Sequence, residues 1–328
     1  MATKGPGKNY RKGLTIIELF KLFPNDEAAE QWFEDQRWPN GQRCCPECGS
    51  VSYAIVASRK PMPYRCRDCR QYFSVRKGTA MQSSKIGLQK WLFAMYMMST
   101  GLKGTSSMKV YRELGITQKT AWFLMQRIRE GFEEGVGPDF RGPVEVDETY
   151  IGGRRANMSN ERRQELKDTG RGGIGSGKSA VVGMKDRDSN EVRAQVVDRT
   201  DAETLQGFIV DHADAFATVY TDDAKAYASL PFDHDTVRHS VGEYVRDQAH
   251  TNGLESFWAT LKRGYKGVYH KMSAKHLQRY VREFAGRHNV RDCDTLEQLA
   301  VLSAGLVGAR LRYKDQIADN GLKSGARS

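Results

Sequence analysis

Apolar residues recur at helical spacing through residues 14–37 (LTIIELFKLFPNDEAAEQWFEDQR), and Pro24 interrupts the run. The pattern predicts two short helices, because proline lacks an N–H and crowds the preceding turn. Asn25 is placed to cap the second, with Asp26 and Glu27 in its first turn. Residues 43–80 lose the helical period and read as short strands and turns; helical spacing returns over 88–132. From Pro143 the texture changes to β-branched runs separated by turn residues, PVEVDETYIGG, SAVVGMKDR and EVRAQVVD. A helix over 201–215, a strand over 217–221, a short helix near 223–228 and a strand near 236–240 follow. Helices near 253–263 and 273–289 complete the order β-β-β-α-β-α-β-α. The polar stretch after Asp319 reads as a frayed tail.

Composition narrows the class. A chain of 328 residues with 39% hydrophobic and 28% charged content suits two or three soluble domains. The net charge of +11 points to a polyanionic partner, nucleic acid before a membrane surface. No stretch approaches the ~18 apolar residues of a membrane span. The basic N-terminus MATKGPGKNYRKG leads into no apolar signal core. The expected location is the cytoplasm, without membrane association. Six cysteines in so long a chain do not make a secreted disulfide scaffold.

Four of the cysteines carry chemistry by their spacing. Cys45-x2-Cys48 and Cys66-x2-Cys69 are separated by seventeen residues, and each pair can present two thiolates to one tetrahedral zinc. Tyr64, Tyr72 and Phe73 are candidates to cover the small core around it. Cys44 and Cys293 have no such partner in the pattern.

Residues 104–132 (GTSSMKVYRELGITQKTAWFLMQRIREGF) predict helix, tight turn at Leu114-Gly115-Ile116, and a second helix capped by Thr117. Met108, Tyr111, Leu114 and Ile116 would face Trp122, Met125 and Ile128. Gln118, Lys119 and Thr120 then start the second helix, where a helix-turn-helix touches base edges, with Arg127 as a further DNA contact.

Gly172 to Ser179 satisfies G-x4-G-K-S literally, but a phosphate loop needs a strand before it and a helix after it. A basic stretch precedes this segment and a β-rich run follows. We read it instead as part of a flexible basic loop, 154–178, whose Arg154, Arg155 and Lys178 lie along a phosphate backbone.

Three acids stand at strand ends and a helix start. Asp147 alternates with Val146 in PVEVDETYIGG, Asp222 ends ATVYTDD, and Glu255 opens a helix. From Ser256 to Arg291 that region has nine Lys or Arg against one acid, Glu283. Carboxylates brought together repel unless cations lie between them, and two Mg²⁺ held this way serve in-line phosphoryl transfer. Lys262, two turns after Glu255, would hold a phosphate beside them. Asn252, one turn before Glu255, is the alternative third ligand; Asp223 adjoins Asp222 but lies farther from the strand.

The succession of cysteine cluster, helix-turn-helix, VDETYIGG, YTDDAKAY and HTNGLESFWATLKRGYKG-x2-HKMSAKHLQRYVREFAGRHN resembles the DDE-type insertion-sequence transposases of the zinc-ribbon group over nearly the whole chain. The resemblance implies a multidomain α/β protein: an N-terminal helical segment (1–40), zinc ribbon (41–82), helix-turn-helix region (83–135), RNase H-like mixed-sheet core (140–295), and a C-terminal helix with tail (296–328). It implies structural zinc, two catalytic Mg²⁺ and cut-and-join chemistry on terminal inverted repeats and target DNA. Asp147, Asp222 and Glu255 match the three acids and Lys262 the basic residue after them. Arg263 and Lys266 would hold the phosphate backbone, and pairing two element ends implies a homodimer or larger assembly on DNA. Two rival readings stay open, a non-catalytic DNA-binding regulator and an RNase H-like nuclease.

Overall fold

The computed structural model describes residues 13–132, 139–153, 158–168, 177–222, 225–227, 229–237 and 252–318. They form two compact units, one from 13–132 with 290–318, the other within 139–289.

In the first unit, Pro24 separates α1 (Ile16–Leu22) from α2 (Asp26–Arg37) as predicted, and Asn25 Oδ1 accepts from Ala28 N at 2.9 Å. Three short strands, β1 (Tyr53–Ile55), β2 (Tyr64–Cys66) and β3 (Tyr72–Phe73), make an antiparallel sheet in that order. Helices α3 (Leu88–Thr100), α4 (Ser107–Leu114) and α5 (Gln118–Arg129) follow. The chain returns to this unit with α10 (Thr295–Gly305) and α11 (Tyr313–Ile317). Leu299, Leu302 and Leu306 are buried in one core with Trp91, Leu92, Leu124 and Ile128.

The ribbon is fastened to α2 through a buried charge. Glu34 is 4% exposed and accepts from Arg43 Nε and Nη2 at 2.9 and 2.7 Å and from Tyr64 Oη at 2.8 Å. Burial, then this bond, raises the Tyr64 pKa. Removing one member of such a cluster strands the others in a poorly solvated site. Glu34→Ala should therefore cost about 3 kcal/mol, read as a lower urea midpoint, with Glu34→Gln intermediate; unchanged midpoints would exclude this role.

The second unit holds a five-stranded sheet in the order β6-β5-β4-β7-β8, made of β4 (Val144–Ile151), β5 (Ser179–Asp186), β6 (Val192–Val197), β7 (Thr218–Asp222) and β8 (Asp233–Val237). Neighbours β4–β5 and β5–β6 are antiparallel, while β7 is parallel to β4 and β8 to β7. This mixed sheet is compatible with an RNase H-like core. Helix α7 (Ala202–Val210) packs on one face with Val144, Val146, Val182 and Met184. Helices α8 (Asn252–Gly264) and α9 (Ala274–Asn289) pack on the other with Ile151, Val181, Val192 and Ala194. The predicted flexible loop 154–178 contains a helix instead, α6 (Asn160–Asp168), which the dense charge of that stretch had obscured. The final strand is already formed at Asp233 and described to Val237, and a 3-10 turn covers Lys225–Tyr227; residues 223–224, 228 and 238–240 of these two expected elements lie outside the described residues.

Candidate active site and zinc centre

The two Cys-x2-Cys turns converge. Cys45, Cys48, Cys66 and Cys69 place their sulfurs within 4.8 Å of one another, with Cys45–Cys69 at 3.6 Å and Cys48–Cys66 at 3.7 Å, and none is in a disulfide. Each turn closes with a left-handed residue after its second cysteine, Gly49 (φ 75°) and Arg70 (φ 61°). Backbone N–H groups aimed at Cys66, that of Cys69 foremost, draw its pKa down to about 7. Four thiols so gathered fit a closed tetrahedral zinc site. Tyr64 and Phe73 are buried beneath it, as expected; Tyr72 instead turns outward under Arg65, and Trp38 and Tyr53 complete the aromatic layer.

The helix-turn-helix is present, with Gly115 in the left-handed conformation and Thr117 capping α5. Its inner face differs from the expectation: Val110 is buried while Met108 and Tyr111 are exposed. Ser106 caps α4, and Val110 is the residue of that helix that is buried. Gln118 and Lys119 are exposed and Thr120 half-buried. Lys119 Nζ lies 5.0 Å over the ring of Tyr313. Arg127 is elsewhere than predicted. It is 6% exposed, packs against Trp91 and Phe123, and donates to the Gln82 carbonyl, so its guanidinium serves the interior.

The acids lie in the second unit. On β4, Val144, Val146 and Glu148 share the α7 face, and Glu145, Asp147 and Ile151 the α8 face, by strand alternation. Strand β7 runs parallel to β4 with Val144 beside Val219 and Glu145 beside Tyr220. Continuing that register by two residues puts Asp147 beside Asp222 on one face. Burial first, then the charge of Glu148 and that of Asp222, pushes the Asp147 pKa up to about 7, although Trp258 Nε1 donates to its Oδ2 at 3.1 Å. Two carboxylates held together against their repulsion are hard oxygen donors that suit a divalent cation.

Helix α8 packs on β4 and β5 and bonds Asp147 through Trp258. At about 100° per residue, Trp258 and Leu261 fall within about 40° of Leu254, and all three face the sheet. Phe257 lies about 60° to one side and meets His288 of α9, the helix bonded to β6. Glu255 and Lys262 lie about 80–100° to the other side, away from Phe257. Asn252 points about 160° away from Leu254, which favours Glu255 as the third donor. Both are exposed. The three acids do not gather as closely as the cysteines, the one group of three or more donors within 4.8 Å among the described residues.

Lys178, Lys262, Arg263 and Lys266 are exposed; Arg154, Arg155, Asp223 and residues 172–176 lie outside the described residues. Ser179 opens a strand, not a helix, as the rejection of the phosphate loop requires. Three residues escaped the sequence reading. Glu145 (1% exposed) accepts from Leu254 N and Arg187 Nε at 3.0 Å each. Glu148 accepts from Tyr227 Oη at 2.9 Å, and Trp258 bonds Asp147. The adjacent acids of VEVDET were a signal for the first two; the sequence offered Trp258 only as local packing or a DNA contact, and it is indeed buried.

Two family models and a relative match this chain. Residues 139–289 match the model of the ISXO2-like transposase domain, and residues 24–72 that of the transposase zinc-ribbon domain. The chain is 30% identical over 282 residues to an uncharacterized protein in transposable element ISH50 of Halobacterium salinarum, covering 82% of this chain and 93% of that protein. The chain belongs to the zinc-ribbon family of ISXO2-like transposases. The transposase also matches a solved chain from the cryo-EM structure of a simian T-cell lymphotropic virus intasome in complex with PP2A regulatory subunit B56 gamma. The match has 12% identity, a TM-score of 0.28, and coverage of 54% of this chain and 63% of that one. That likeness is too slight to bear on function. Among the described residues of the transposase, no helix is long and apolar enough to cross a membrane.

Proposed function

We propose that this transposase binds the terminal inverted repeats of its element, cuts the DNA there and joins the freed end to a target. The reading rests on one observation above others: Asp147, within reach of the charge of Asp222, is hydrogen-bonded by Trp258 of the helix that carries Glu255 and Lys262. Asp147, Asp222 and Glu255 would hold two Mg²⁺, which when bound supply Lewis acidity to the entering and leaving oxygens of a phosphodiester. Lys262 would hold the phosphate beside them, and Lys178, Arg263 and Lys266 the flanking backbone. Gln118, Lys119 and Thr120 would read the end sequence. Water first displaces the 3′ oxygen from phosphorus to leave a 3′-OH. That hydroxyl then attacks a target phosphodiester and releases its 3′ oxygen. Bringing two ends together calls for at least a homodimer.

The test is a strand-transfer assay with the full chain, Mg²⁺ and duplex carrying the element's end. Joined product is expected. Binding without cleavage would make the chain a regulator, and hydrolysis without joining would make it a nuclease. Glu255→Ala should remove both steps while Asn252→Ala retains them; the reverse result would move the third ligand to Asn252.

A further inference from the structure

The contact between Trp258 and Asp147 has a construction that packing alone does not require. Trp258 is 3% exposed, buried with Leu254, Phe257 and Leu261. Its Nε1–H donates to Asp147 Oδ2 across 111 positions of sequence. Directly opposite Asp147 on the β4–β5 ladder stands Gly183. A Cβ at that position would lie 2.7 Å from both Cη2 and Cζ2 of the indole, closer than packed carbons tolerate. The glycine therefore opens the space in which the ring lies flat enough on β5 for its polar edge to reach the carboxylate. A phenylalanine would fill much of the same volume but would leave that carboxylate without a donor on this side. Buried indoles usually find a hydrogen-bond partner; here the partner is the Asp147 carboxylate.

We propose that Trp258 is a positioning residue, with Gly183 as its seat: the indole N–H fixes the orientation of the Asp147 carboxylate so that its remaining lone pairs face a divalent cation. The inference rests on reading Asp147 as a cation ligand. Groups that orient a ligand from behind set cation affinity, and losing one typically weakens binding about 10–100-fold. A residue that only filled the core would change stability and leave affinity alone.

The experiment titrates Mn²⁺ into the full, zinc-loaded chain without DNA, by calorimetry and by the rise in melting temperature. Trp258→Phe should weaken Mn²⁺ binding about 10–100-fold, and cleavage should recover to within a few-fold of the parent rate at saturating cation. Gly183→Ala keeps the indole but displaces it, so it should shift affinity in the same direction and decides the matter if Trp258→Phe fails to fold. Unchanged Mn²⁺ affinity in either folded variant, while Asp147→Asn loses binding, overturns the positioning role alone. Unchanged affinity in Asp147→Asn itself overturns the ligand reading beneath it.

Discussion

Replacing Asp147 by Asn is expected to end DNA cleavage and joining and, at the same time, to raise the melting temperature of the metal-free protein at pH 8. The first effect follows from the proposed role. A carboxamide leaves the site one anionic oxygen short, and losing several kcal/mol of transition-state stabilisation means roughly a thousandfold or more in rate. The second follows from the electrostatics of the site. Burial and the neighbouring acids raise the Asp147 pKa from 3.8 to about 7. A carboxyl with a higher pKa in the folded state takes up protons on folding, so folded stability falls as pH climbs from 3.8 to about 7 and is level above. The full shift corresponds to roughly 4 kcal/mol. Asp147 is only partly buried, and solvent screening leaves on the order of 1–2 kcal/mol. The neutral Asn does not incur that penalty, so calorimetry of the variant should show a gain of roughly 3–6 °C at pH 8 and little gain at pH 4. Divalent cation should raise the melting temperature of the parent at pH 8 and not that of the variant. A variant that cleaves DNA normally would remove Asp147 from the site, and one that is inactive and also less stable at pH 8 would mean that the acid supports the fold.

Part of this molecule was legible in the sequence and part was not, and the range of the interactions decides which. The features read correctly are short-range. Asn25 and Thr117 cap helices because their side chains reach N–H groups three residues on. The four cysteines announce their site because each pair supplies half of it within four residues. The strands that carry Asp147 and Asp222 were likewise visible as β-branched runs, and β4 and β7 are neighbours in the sheet. The features missed depend on partners far along the chain. Arg127 carries a charge, as a DNA-binding residue would, and only its approach to the Gln82 carbonyl and the Trp91 ring turns it inward. Glu34 looks like any acid on a polar helix until Arg43 and Tyr64 close on it. Glu145 is one more acid in a β-branched run, yet it accepts the N–H of Leu254 from 109 positions away. Residues 290–318 carry no mark of belonging with the first unit rather than the second. Charge is the poorest guide here, because a buried charge is allowed only by partners that local pattern does not contain.

Removing zinc should unfold the ribbon and weaken the unit it belongs to. β1, β2 and β3 contribute three, three and two residues, too little hydrogen-bonded sheet to stand by itself. What holds them is the sulfur cluster at one end and the aromatic layer of Trp38, Tyr53, Tyr64 and Phe73 at the other. Structural zinc contributes about 10–16 kcal/mol of apparent binding energy in zinc-finger peptides. Part of the ribbon's packing on α2 survives its loss, so a cost on the order of 5 kcal/mol is expected here. Cys45→Ser, or a strong chelator, should lower the first melting transition by more than any other change considered above. Hydrogen exchange should quicken across 43–75 and in Glu34–Trp38, whose contacts lead into the ribbon, while β4 and β5 keep their protection. Acidification acts in the same sense, because protons compete with the metal for the thiolates. Cys44→Ser and Cys293→Ser serve as controls. Both lie outside the cluster and should stay within about 1 kcal/mol of the parent. If Cys45→Ser melts with the controls and the protein retains no zinc by metal analysis, the cysteines pack without a metal and the ribbon stands on its aromatic layer alone.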